Sequence, residues 1–113
     1  MSEPEVSPWQ VWWTSFDPQV GREQAGLRPA VVVGTSLACE LPNGLALVVP
    51  CTSTDRGLPF HPVLTCLAQP SFAMCDQLKS LSRERLVRLH PATVAPAEAD
   101  VIRFVLRRLV DVG

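Results

Sequence analysis

The chain has 113 residues, 47% of them hydrophobic and 19% charged, with a formal net charge of -1. That length allows one modest core and excludes two domains, and the composition excludes a disordered chain. A near-neutral balance also excludes polyanion binding by bulk charge, so any nucleic-acid contact must come from cations gathered on one face.

Residues 1–8 carry Pro4 and Pro8 and read as a flexible arm, leaving 9–113 as a single domain. Gln10–Phe16, rich in aromatic and β-branched residues, reads as the first strand. All three tryptophans, Trp9, Trp12 and Trp13, fall beside it. They fit a core residue, an interface cover or a platform for base stacking.

Asp17-Pro18 opens a long polar loop that runs to Arg28, and a β-branched run from Pro29 to Gly34 reads as the second, buried strand. Pro29 biases Arg28 towards an extended backbone, which sets a guanidinium at the mouth of a rigid element. Cys39–Gly44 reads as a connection with a tight turn at Asn43-Gly44. Leu45–Pro50 is apolar on both faces and reads as a central strand; the hydroxyl cluster Thr52-Ser53-Thr54 stands at its exit.

A second exposed loop, Asp55–Pro62, carries Arg56 and His61 among Gly and Pro breakers. Val63–Leu67 and Phe72–Ser80 read as two further strands, and Ser82 can cap one helical turn over Arg83–Leu86. Val87–Leu89 reads as a short returning strand before His90-Pro91. The last element is a helix from Pro96, with Glu98 and Asp100 near its positive end. Val101, Val105 and Leu109, flanked by Ile102 and Leu106, form its expected apolar stripe. The sum is five or six strands curled into a small barrel and closed by a C-terminal helix.

Cys39, Cys51, Cys66 and Cys75 have no zinc-ligand spacing, so no metal site is expected, and they read as small buried hydrophobes. Cys51 and His61 can be drawn as a thiol and its base, but a core cysteine and a loop histidine describe them better. No secretory signal and no apolar run of membrane-spanning length is visible, which makes the cytoplasm the expected location.

Two loops are chemically equipped. One offers Arg22, Glu23, Gln24 and Arg28; the other offers Thr52, Ser53, Thr54, Arg56 and His61. If they meet at one end of the sheet, cations, hydroxyls and a carboxylate surround a groove suited to a phosphodiester. Guanidinium forks hold phosphate oxygens and hydroxyls satisfy the rest. A carboxylate can take the proton from a ribose 2′-OH, a route that needs no metal. The same residues also fit a surface ion pair of Glu23 with Arg28 and a plain strand end at Thr52.

Taken together, these blocks resemble the MazF/PemK family of toxin endoribonucleases. The matching text includes 11–18 (VWWTSFDP), 21–33 (GREQAGLRPAVVV), 49–53 (VPCTS), 57–60 (GLPF), 75–81 (CDQLKSL) and 83–87 (RERLV). The resemblance covers nearly the whole chain from Trp9 onward, and its specificity lies in the order and spacing of the blocks. It implies a mainly β fold with small helices, an SH3-like barrel of the MazF/PemK/CcdB type, assembled as a homodimer. It implies a cofactor-free, metal-independent, sequence-specific ribonuclease that leaves a 2′,3′-cyclic phosphate and a 5′-OH on single-stranded RNA. A cognate antitoxin with an acidic C-terminal tail is implied as the neutralising partner.

Carried over residue by residue, the family's arginine falls on Arg28, its threonine on Thr52 and the glutamate of some members on Glu23. Arg22, Gln24, Ser53, Arg56 and Gln77 are the expected RNA contacts. Three departures stand out: Trp9-Gln10 where members usually have glycine and an acidic residue, Arg22 where serine is frequent, and Ala95 at the helix cap. The rival from another class is a CcdB-like toxin that binds DNA gyrase without cleaving RNA. Such toxins rely on a C-terminal tryptophan, and no tryptophan here follows Trp13.

Overall fold

Alternating small and β-branched residues build a sheet whose two faces are both covered. The computed structural model describes residues 5–16 and 26–111. Its strands are β1 (Gln10–Ser15), β2 (Leu27–Val32), β3 (Leu45–Thr52), β4 (Val63–Leu64), β5 (Ser71–Ala73), β6 (Lys79–Ser82) and β7 (Leu86–Thr93). Helix α1 spans Ser36–Glu40 and helix α2 spans Pro96–Leu109. The sheet order is β4-β5-β3-β2-β1-β7, with β6 also pairing β3.

Val11, Val31, Val49 and Cys51 point to one core, shared with Ala99, Ile102 and Val105 of α2. Their strand neighbours Trp12, Ala30, Val32, Ala46 and Val48 fill a second core on the opposite face. A period-2 strand buried on both sides must be apolar at every position, which is the pattern read in β3. The sheet therefore bends as a half-barrel with α2 covering one face.

Several expectations are refined. Cys39–Gly44 was expected as a connection; α1 occupies its first residues, started by Thr35, whose Oγ1 accepts the Ala38 N–H at 3.2 Å. The expected Phe72–Ser80 strand is broken into β5, a 3-10 turn at Cys75–Gln77, and β6. Both pieces pair with β3, at Cys51–Thr52 and at Leu45–Val48, in registers that differ by the looped-out residues. Only Val63–Leu64 of the expected Val63–Leu67 strand is paired. By contrast β7 is longer than expected and continues through Pro91, which sits at an irregularity of its pairing with β1.

The helix stripe also shifts. Ala99, Ile102 and Val105 are the buried positions, whereas Val101 and Leu109 are half-exposed. Trp9 adopts φ 69°, a left-handed backbone that costs a bulky residue about 1–2 kcal/mol relative to glycine. Bonds from Trp9 N to Val32 O and from Val94 N to Trp9 O hold it there. Glycine would adopt that backbone without the penalty.

Arg83 ties α1 to the sheet. Its guanidinium donates to the carbonyls of Leu45 and Cys39, with Leu41 a further acceptor at 3.3 Å. The bonds to Cys39 and Leu41 are charge-assisted and satisfy carbonyls at the C-terminal end of α1, while the one to Leu45 reaches the start of β3. Arg83→Ala is expected to lower the unfolding free energy by about 1–3 kcal/mol, and Arg83→Lys to restore little, because an ammonium cannot fork. Urea unfolding checks this; a loss under about 0.5 kcal/mol would contradict it.

Candidate active site

Arg28 lies on β2 and Thr52 ends β3, and the pairing of these strands decides their relation. The register sets Ala30 opposite Pro50 and Val31 opposite Val49. That pairing ends at Ala30 and Pro50; two residues beyond it, Arg28 pairs with Thr14 of β1 and Thr52 with Phe72 of β5.

Arg28 and Thr52 line one cavity of about 620 Å³, and Ser53, Arg56, Trp13 and His90 line it too. Its floor crosses four strands, from β3 through β2 and β1 to β7. Among its described lining residues are two guanidiniums and no carboxylate, so the cavity attracts an anion. Thr52 Oγ1 accepts the Thr54 N–H at 3.1 Å, which leaves its own O–H free to donate into the cavity. Arg56 rests on Met74, with a nitrogen 3.8 Å from Sδ, and Gly57 shapes that loop with φ 66°.

Of the residues singled out from sequence, Arg28, Thr52, Ser53 and Arg56 are thus brought together. Gln77 belongs to the 3-10 turn packed beside α2 and is not part of the cavity lining. Arg22, Glu23 and Gln24 lie outside the described residues. Sequence reading gave no role to His90, which a lone histidine before a proline does not announce. Among the tryptophans, Trp12 is core and Trp13 faces the cavity, with Arg88 5.7 Å from its ring centre.

The thiol-and-base pairing of Cys51 with His61 has no support. His61 is buried, stacks edge-on against Phe60 and holds Asp76 Oδ1 at 2.8 Å through Nε2. It sits at a bend of its loop as expected, but buried rather than exposed. Cys51 points its thiol at Val49 O, and burial, with the Cys66 and Cys75 thiols nearby, pushes it far up. Burial likewise raises Cys75 from the ordinary 9.0 to about 12, with Asp76 adding to the shift. Neither is a nucleophile at neutral pH.

These shifts carry a sign. A thiol raised on folding contributes stability that is complete below pH 9.0 and is lost as pH climbs towards about 12. The urea midpoint is therefore expected to fall from pH 9 upward, more steeply in the wild type than in Cys75→Ala. Parallel curves for the two proteins would contradict the assignment.

Among the described residues, no helix is long and apolar enough to cross a membrane. Comparison with known proteins places the cavity in context. The family described as PemK-like, MazF-like toxin of type II toxin-antitoxin system matches residues 7–112. The endoribonuclease toxin MazF of Escherichia coli (strain K12) is 38% identical over 98 residues, 87% of either chain. The crystal structure of MazF (Form-I) from Deinococcus radiodurans superposes with a TM-score of 0.78 at 27% identity, over 95% of this chain and 97% of that one. The same organism's MazE–MazF crystal structure (Form-II) gives 0.80 at 26% identity, over 98% and 100%.

Proposed function

The chain belongs to the PemK-like, MazF-like toxin family of type II toxin–antitoxin systems and is an endoribonuclease toxin; we propose that it cuts single-stranded RNA between Arg28 and Thr52. The observation that carries this reading is the meeting of Arg28 and Thr52, from neighbouring strands, in one cavity whose described lining holds two guanidiniums and no carboxylate.

The ribose 2′-oxygen attacks the adjacent phosphorus as its proton passes to a base. The P–O5′ bond breaks, leaving a 2′,3′-cyclic phosphate, and the departing 5′-oxygen takes a proton. Arg28 faces the charge that builds on the non-bridging oxygens, and its fork fits two of them. It is a poor base, because a guanidinium does not deprotonate in proteins. Glu23, five residues before Arg28 in sequence, is the proposed base. Thr52 donates to a phosphoryl oxygen, with Ser53 and Arg56 supporting neighbouring phosphates. The ring of Trp13 offers a face to a base.

A homodimer in the cytoplasm, neutralised by an antitoxin with an acidic tail, completes the reading. The cavity's positive lining is complementary to such a tail as well as to RNA. Gyrase binding without cleavage is not favoured: the matches are to endoribonucleases, and the cavity is equipped for phosphate chemistry.

The test is direct. Purified protein incubated with a long single-stranded RNA in EDTA is expected to cut at a short recurring sequence and to leave cyclic-phosphate ends. Activity that requires added metal, or 5′-phosphate products, would overturn the route. Growth arrest with inhibited gyrase and intact RNA would favour the rival.

A further inference from the structure

The far end of the cavity is shaped by a fault in the β1–β7 ladder. Gln10 pairs with Thr93 and Trp12 with Leu89, so Val11 alone faces His90, Pro91 and Ala92. His90 lies in this stretch, two residues after Arg88, which pairs with Trp13; strand alternation therefore puts His90 on the face of Trp13, and both line the cavity. The Nδ1 of His90 accepts the Ala92 N–H at 3.0 Å. A ring nitrogen that accepts carries no proton, so the neutral imidazole has its proton on Nε2. No described residue engages that Nε2 in a hydrogen bond.

We propose that His90 is a specificity-determining residue whose Nε2–H selects a keto base over an amino base at one position flanking the scissile linkage. The proposal rests on the ribonuclease reading given above. β1 separates β7 from β2 by two strand spacings, about 10 Å, and His90 is offset along the sheet as well, because Arg28 and Leu86 both pair with Thr14. His90 is thus displaced from the scissile phosphate. A neutral donor is also a weak choice for a phosphate when Arg28 and Arg56 share the cavity. Uracil O4 and guanine O6 accept a hydrogen bond; the amino groups of cytosine and adenine at the same places do not. The bond from Ala92 fixes the tautomer, so the site offers a donor and never an acceptor.

The experiment uses an oligonucleotide carrying the wild-type protein's own mapped cut site. Each of the three nucleotides on either side is exchanged, uracil for cytosine or guanine for adenine, and kcat/KM is measured for each. The wild type is expected to prefer the keto base about tenfold at one position, the effect of one hydrogen bond. His90→Phe, which keeps a ring and loses the donor, is expected to erase that preference there and leave the other positions unchanged. His90→Gln, which can donate and accept, is expected to tolerate both bases. Melting temperatures identify any variant that fails to fold.

A His90→Phe profile identical to the wild type at every position would overturn the proposal. An equal loss on every RNA would do so too, because that marks a phosphate contact. A wild type with no keto preference anywhere would have the same result. A wild-type protein that cuts no RNA sinks the ribonuclease reading itself, and the proposal with it.

Discussion

Arg28→Ala is expected to lower kcat for RNA cleavage by about 10²–10³ while leaving the unfolding free energy nearly unchanged. The side chain is exposed on β2, so its removal opens no core cavity. Its proposed work lies in the transition state, where the phosphorus gains a bond and its non-bridging oxygens gain charge. An interaction stronger there than in the bound substrate appears in kcat, with a smaller change in KM. Arg28→Lys is expected to recover only part of the loss, because an ammonium keeps the charge but cannot hold two oxygens in one plane. Thr52→Val, which removes the hydroxyl at near-constant shape, is expected to cost less than Arg28→Ala, since it withdraws one neutral donor. Single-turnover cleavage of a defined oligonucleotide reads both constants. A loss below tenfold for Arg28→Ala would remove that residue from the chemistry.

Ile102→Ala is expected to destabilise the protein by about 2–5 kcal/mol, a large part of the roughly 5–15 kcal/mol available to a domain. Ile102 has 0% exposure in the core shared by α2 with β1, β2 and β3. Phe104, two residues on, is 60% exposed, and Phe104→Ala is expected to change stability by less than about 0.5 kcal/mol. The contrast separates burial from mere hydrophobicity on one helix. It also reaches the site. Glu98 of α2 accepts bonds from the Thr65 amide and hydroxyl at 3.1 and 2.8 Å, and the cavity lining resumes at Leu67. Loosening the helix is therefore expected to weaken cleavage before global unfolding, in mild urea. Equal urea midpoints for the two variants would contradict this account of how α2 is anchored.

Arg28 and Thr52 were legible in the sequence because each flanks an apolar run and stands out in type from its neighbours. Pro29 marks the first and the hydroxyl cluster the second. Ser53 and Arg56 followed from the same loop. His90 was not legible, because what shares its cavity is set by the pairing of β1 with β7, strands from opposite ends of the chain. A period-2 pattern read along β7 alone holds no trace of the residue it faces. Gln77, read in the polar end of an expected strand, instead lies exposed in the 3-10 turn that breaks that strand.

By itself the sequence determined the elements whose causes are local. β-Branched runs fixed β2 and β3, aromatic and β-branched residues fixed β1, and Pro96 fixed the start of α2. Only the tertiary structure decided which arc of α2 is buried, since Val101 and Ile102 are equally apolar and the sheet covers one of them. It alone divided Phe72–Ser80 between β5 and β6, because β3 offers both pieces an edge but in different registers. It alone brought side chains from β1, β2, β3 and β7 around one cavity. Hydrogen-bonded registers are relations between distant segments, and no local propensity encodes them.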